Sequence, residues 1–171
     1  MLQLEKTTTA DTSEEEYLRI IYSKTASLFE TASACAAISV NAAEEIVEAA
    51  KEYGKNLGLA FQIKDDILDY AGNSELGKPV GIDIREGKIT LPLLGALRNS
   101  GRAGEIRSMV REVDSRPENC EEIRRFVLEN GGIEYSSIVL DEYIGKAGKA
   151  LEAFPEGWAR DALTFIARYT A

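Results

Sequence analysis

Histidine is missing from all 171 residues of this chain, and that single gap removes whole classes of chemistry. Without an imidazole there is no Ser-His-Asp triad, no His-ligated zinc and no histidine proton relay. Cysteine is nearly missing as well. Cys35 and Cys120 stand far apart with no Cys-x-x-Cys spacing, so a reduced, cytoplasmic setting is the simplest expectation. Positive charge is scarce: 20 Lys and Arg against 29 Asp and Glu leave a formal net charge of −9. That balance argues against nucleic acid as a partner, because a phosphate backbone demands clustered cations. No apolar run reaches the roughly 20 residues that span a bilayer. Met1 leads into Gln3, Glu5 and Lys6 rather than an apolar stretch, so no signal peptide is expected.

What is present reads as helix. The 44% hydrophobic and 29% charged content is ordinary for a globular chain, and the length suits one domain over residues 1–171. Residues 1–12 read as the end of a truncated helix and a polar linker. Ser13-Glu14-Glu15-Glu16 then forms a capping box. Leu18, Ile21, Leu28 and Phe29 recur at helical spacing before a small-residue run, Ser33 to Ala37, which suggests buried packing. Asn41 is expected to cap a helix that runs to about Tyr70, with Gly54 and Gly58 marking a close neighbour, a ligand or a bend. Residues 71–88 form a glycine-bearing loop of the functional kind. A helix restarts after Thr90, with Pro92 in its first turn. Further amphipathic helices are expected near 103–114, 118–130, 133–153 and 157–169. No segment alternates as a strand does, so the fold class is all-α.

The chemistry concentrates in Phe61-Gln62-Ile63-Lys64-Asp65-Asp66-Ile67-Leu68-Asp69. Three carboxylates within five helical residues repel one another, and they need solvent or a cation. Oxygen-only donors suit a hard ion such as Mg2+, which takes one or two carboxylates plus substrate phosphates. Lys78, Arg85 and Lys88 follow in the loop and suit a phosphate ester. A solvated acidic face is the plain rival reading. The apolar company of Leu57, Leu59, Ile63 and Ile67 argues for a packed helix instead. Gly58, Gln62, Asp65 and Asp69 share one stripe, the expected ligand-facing side.

These residues resemble the second aspartate-rich region of the trans-isoprenyl diphosphate synthases, the polyprenyl synthetases. Phe61, Gln62, Asp65, Asp66, Asp69, Gly77-Lys78, Gly81, Asp83-Ile84 and Lys88 match the family pattern in order and spacing. Tyr17-Leu18 through Phe29 is similar to the family's Lys-Thr helix. The resemblance implies a helical bundle of the isoprenoid synthase type, here only its C-terminal half. It also implies condensation of an allylic diphosphate with isopentenyl diphosphate. It assigns Asp65 to Mg2+ on the allylic diphosphate, assisted by Asp66 and Asp69. Lys24 and Lys78 would contact that diphosphate, and Lys88 would support the loop and the pyrophosphate region. Thr25 and Gln62 would stabilise the allylic cation, and Phe61 would touch the acceptor alkene.

One family feature has no counterpart here. Asp11, Asp114, Asp141 and Asp161 are isolated, so the family's first aspartate-rich motif is missing, and with it the isopentenyl diphosphate pocket. The expectation is a fragment that is inactive alone and that self-associates as a homo-oligomer or pairs with the missing N-terminal half. Two rivals are a small subunit of a heteromeric prenyl synthase and a non-catalytic helical interaction module.

Overall fold

A computed structural model describes residues 11–71, 81–98 and 100–170, and every regular element among them is helical. Lys78 and the expected truncated helix end before residue 11 lie outside the described residues.

The elements are α1 (Glu14–Ile21), a π-helical turn (Tyr22–Ala26), α2 (Ser27–Ser39) and the long α3 (Glu44–Ala71). A short α4 (Ile82–Arg85) precedes α5 (Leu91–Leu97), α6 (Ala103–Arg111) and α7 (Asn119–Glu129). After α8 (Gly132–Ala150) comes a 3-10 turn (Leu151–Ala153), and α9 (Trp158–Tyr169) follows. They gather in two compact units. The first takes residues up to Ile20 together with Asp65–Ile138, and the second takes Ile21–Lys64 with the residues from Val139.

In the first unit α4, α5 and α6 all pack on α7. Ile84, Leu91, Leu93, Ile106, Ile123 and Val127 are fully buried there. Arg124 of α7 donates from Nε to the Tyr70 carbonyl at 2.9 Å. It thereby satisfies one of the orphan carbonyls at the C-terminus of α3, where a cation also complements the helix dipole. In the second unit Tyr53, Leu57, Ala147, Leu151 and Ala167 form a core covered by Phe29, Phe154 and Leu163.

The Ser13 capping box is reciprocal as expected. The Glu16 backbone N–H donates to Ser13 Oγ at 3.2 Å, and the Ser13 N–H donates to Glu16 Oε2 at 2.9 Å. Ser13→Ala is expected to cost about 1 kcal/mol, read by thermal unfolding.

Two expectations need correcting. Asn41 is not an N-cap: it sits in the left-handed region at φ 53° and closes α2. Its N–H donates to the Ile38 carbonyl and that of Ala42 to the Ala37 carbonyl, the Schellman pattern that asparagine tolerates. The small-residue run is not wholly buried either. Ala34 and Ala37 are buried, whereas Cys35 and Ala36 are exposed, because only one stripe of α2 meets a neighbour.

That neighbour is the glycine face of α3. A Cβ on Gly54 would collide with the Phe29 carbonyl, and one on Gly58 would lie 2.6 Å from Ala26 Cα. Both glycines therefore mark backbone-to-backbone approach. At that crossing Tyr22–Ala26 adopts the π-helical turn, a feature often found at functional sites.

Candidate active site

α3 carries the acidic segment at its C-terminal end, and the three carboxylates have different surroundings. Asp65 is exposed and accepts no hydrogen bond from the described residues. Asp66 is only 3% exposed, and its Oδ2 accepts a 2.7 Å hydrogen bond from the buried Tyr17 hydroxyl. Asp69 is half-buried. Its Oδ1 accepts from the Ile82 N–H at 3.0 Å and its Oδ2 from the Asp83 N–H at 3.1 Å. Asp69 thus caps α4 from the far side of the glycine-bearing loop, and its own carbonyl accepts from the Gly81 N–H at 2.9 Å. Asp83 itself does not cap α4. It lies inside that helix and pairs with Lys88 Nζ at 2.9 Å.

The electrostatics follow from that crowding. Burial pushes the Asp69 carboxyl above its usual range, the two backbone donors oppose the rise, and the charges of Asp83 and Asp65 add to it. Burial works against the Lys88 ammonium, yet hydrogen bonds to Glu86 and Asp83 hold its pKa above the ordinary lysine value. Tyr70 is wholly buried, and among the described residues neither its hydroxyl nor that of Thr90 meets a well-directed hydrogen-bond partner, although the two hydroxyls are neighbours. Burial raises the Tyr70 phenol, the neighbouring Thr90 hydroxyl opposes the rise, and the charges of Asp83, Asp66 and Asp69 add to it.

The donor set is oxygen throughout. Among the described residues no three Asp, Glu or Cys side chains converge to hold a metal ion by themselves. That is no cage for a fully protein-bound ion. It does fit Mg2+, which keeps water and takes the rest of its shell from substrate phosphate.

In the second unit the π-turn and α3 place the predicted polar pair together. Thr25 Oγ1 donates to Gln62 Oε1 at 3.1 Å, with Gln62 only 5% exposed. Gly58, one turn before Gln62, lets the π-turn come that close. The stripe Gly58–Gln62–Asp65–Asp69 is therefore not polar along its length: its first half is packed, and Asp65 opens to solvent. Lys24 is exposed in the π-turn. Phe61 is half exposed and tilts against Phe29, with ring centroids 5.8 Å apart.

Sequence reasoning missed two features. Tyr17 lies 49 residues from Asp66, and no short-range signal joins them. The capping role of Asp69 spans a loop; the one available hint was Gly81, whose left-handed φ of 76° lets α4 start there.

The chain is similar to known proteins in sequence and fold. The family model for polyprenyl synthetase matches residues 1–127. The chain is 42% identical over 168 residues to octaprenyl diphosphate synthase from Haemophilus influenzae, covering 96% of this chain and 51% of that protein. It is 38% identical over 154 residues to heptaprenyl diphosphate synthase component 2 from Bacillus subtilis, covering 90% of this chain and 44% of that one. Among solved structures, the polyprenyl synthase from Caulobacter crescentus complexed with calcium and isoprenyl diphosphate superposes with a TM-score of 0.88. It is 39% identical, with 99% of this chain and 52% of that chain covered. The chain spans about half the length of the relatives it matches. With its all-helical fold and the FQxxDDxxD segment placed at the end of α3, the chain belongs to the polyprenyl synthetase family.

Proposed function

We propose that this chain supplies the allylic diphosphate half of a prenyltransferase that condenses an allylic diphosphate head-to-tail with isopentenyl diphosphate. The observation that carries the reading is the acidic segment itself. A solvent-facing Asp65 stands on the same helix as Asp69, whose carboxyl is already raised by burial and by neighbouring negative charge.

Asp65 would hold Mg2+, with Asp66 and Asp69 assisting. When bound, that ion neutralises the charge that grows on the departing diphosphate. Lys24 and Lys78 would contact the same diphosphate as cations. Thr25 and Gln62, locked to each other, offer oxygen dipoles that favour an allylic cation without swinging away from it. Phe61 presents an apolar face to a prenyl chain. Lys88 holds the segment around Asp83 in place, and its engagement with Asp83 and Glu86 gives it a supporting role. Departing pyrophosphate can accept the final proton, in which case this chain need supply no base.

Condensation needs an acceptor site and a first aspartate-rich motif, and none of the isolated aspartates supplies the latter. The chain alone is therefore expected to give no incorporation of radiolabelled isopentenyl diphosphate in the presence of Mg2+ and an allylic diphosphate. Adding the N-terminal half of a relative in trans is expected to restore product. Robust turnover by the purified chain alone would overturn the half-site reading.

The surface points to a partner. Leu28 is 71% exposed, Val40 73%, Trp158 84% and Tyr169 82%. An apolar hollow of about 400 Å3 opens in the second unit among Ala36, Val40, Ile46, Tyr53, Phe154 and Leu163. A partner or second copy of the chain would cover this hollow and the exposed side chains in the proposed assembly. Light scattering after size exclusion is expected to show a dimer or higher oligomer; a monodisperse monomer at micromolar concentration would contradict it. No helix among the described residues is long and apolar enough to cross a membrane.

A further inference from the structure

Tyr17 and Asp66 are both sealed from solvent, 2% and 3% exposed, and the phenol aims at one carboxylate oxygen from 2.7 Å. Packing alone does not explain a tyrosine at this position, because phenylalanine fills the same space. What phenylalanine lacks is the donor. A buried carboxylate without donors is costly, and an O–H···O⁻ bond of this length is of the strong, charge-assisted kind.

α1 is itself held firmly. The Ser13–Glu16 capping box fixes its first turn, and the Tyr135 hydroxyl of α8 contacts Glu14 Oε2 at 2.7 Å. Tyr17 is therefore a fixed donor, and it fixes Asp66. The carboxylate at the centre of the acidic segment cannot rotate freely, whereas Asp65 beside it stays open to solvent.

We infer that Tyr17 is a positioning residue for the acidic cluster. It anchors Asp66 Oδ2 to the fold, so that α3 presents Asp65 and Asp69 to a divalent ion with Asp66 in one orientation. Three neighbouring like charges become a set with unequal duties. The inference rests on the reading that this cluster binds a divalent ion together with an allylic diphosphate.

The test uses the full chain, Mn2+ as a paramagnetic stand-in for Mg2+, and a thiolo analogue of an allylic diphosphate. Mn2+ affinity and the bound-Mn2+ electron paramagnetic resonance spectrum are recorded for the parent chain, Tyr17→Phe and Ser13→Ala. Tyr17→Phe is expected to weaken analogue-dependent Mn2+ binding about 10-fold and to change the bound spectrum, the usual scale for losing a group that orients a metal ligand. Ser13→Ala loosens the same helix without touching Asp66 and is expected to leave both readouts unchanged. Parent-like Mn2+ affinity and spectrum in Tyr17→Phe, even with a lowered melting temperature, would overturn the inference while leaving the metal reading intact. Absence of Mn2+ binding by the parent chain would sink the metal reading and the inference with it. Should Tyr17→Phe fail to fold, 3-fluorotyrosine at position 17 decides the matter. Its 19F resonance is expected to shift on adding Mg2+ and analogue, and an unmoved resonance counts against the inference.

Discussion

Asp65→Asn is expected to abolish Mg2+-dependent binding of an allylic diphosphate analogue to this chain. The reasoning starts from what each carboxylate already does. Asp66 gives an oxygen to Tyr17, and Asp69 spends both oxygens on the backbone of α4. Asp65 is exposed, with no such commitment among the described residues, and it is the most available charged ligand. Asparagine keeps the size and removes the charge. Losing an orienting partner of a metal ligand costs about 10–100-fold in affinity, so losing the ligand's charge should exceed about 100-fold. Asp161→Asn, on the exposed side of α9 and equally a loss of one negative charge, is the control and should leave binding unchanged. Equal binding by the parent and Asp65→Asn chains would favour the non-catalytic interaction module.

Gly58→Val carries the second large effect. A Cβ at Gly58 would lie 2.6 Å from Ala26 Cα and 3.2 Å from Phe29 Cβ. The first of these is backbone and cannot rotate aside, so the π-turn must move away from α3. Overpacking of this kind costs ~3 kcal/mol, a fall of about 10 °C in melting temperature for a chain of this size. Gln62 lies one turn further along α3, so the same shift parts the Thr25 hydroxyl from Gln62. Gly145→Ala on α8 supplies the contrast. Its Cβ meets nothing within 4 Å, and replacing an unconstrained helical glycine should stabilise by up to about 1 kcal/mol. If both substitutions moved the melting temperature in the same direction, the close-approach account of Gly58 would be wrong.

These two predictions also show what could be read from the residues. Gly54 and Gly58 inside a helical pattern announced a close neighbour, and Ser13 with Glu16 announced a helix start. Whereas the hydrogen bond from Thr25 to Gln62 joins residues 37 apart and was not among the expectations, the acidic spacing singled out a candidate site. Local signals of that kind survive in the sequence because each depends on a few adjacent residues.

Other features left no local trace. A π-turn adds one residue to a single turn, so the apolar spacing around Tyr22–Ala26 still reads as ordinary helix. Asn41 was misread because asparagine serves equally at an N-cap and at a left-handed helix end, and the choice between them is set by where α2 stops. Cys35 sits on the wrong side of α2 for burial, which depends on which stripe faces α3. The Tyr17–Asp66 bond joins segments that only the tertiary fold brings together.

The central claim is that this chain binds a diphosphate through a divalent ion held by the end of α3. Isothermal titration of the purified 171-residue chain with a thiolo analogue of an allylic diphosphate tests it directly, once with Mg2+ and once with EDTA. The account predicts saturable binding with Mg2+ and none with EDTA. Binding of equal strength in both, or in neither, would contradict it.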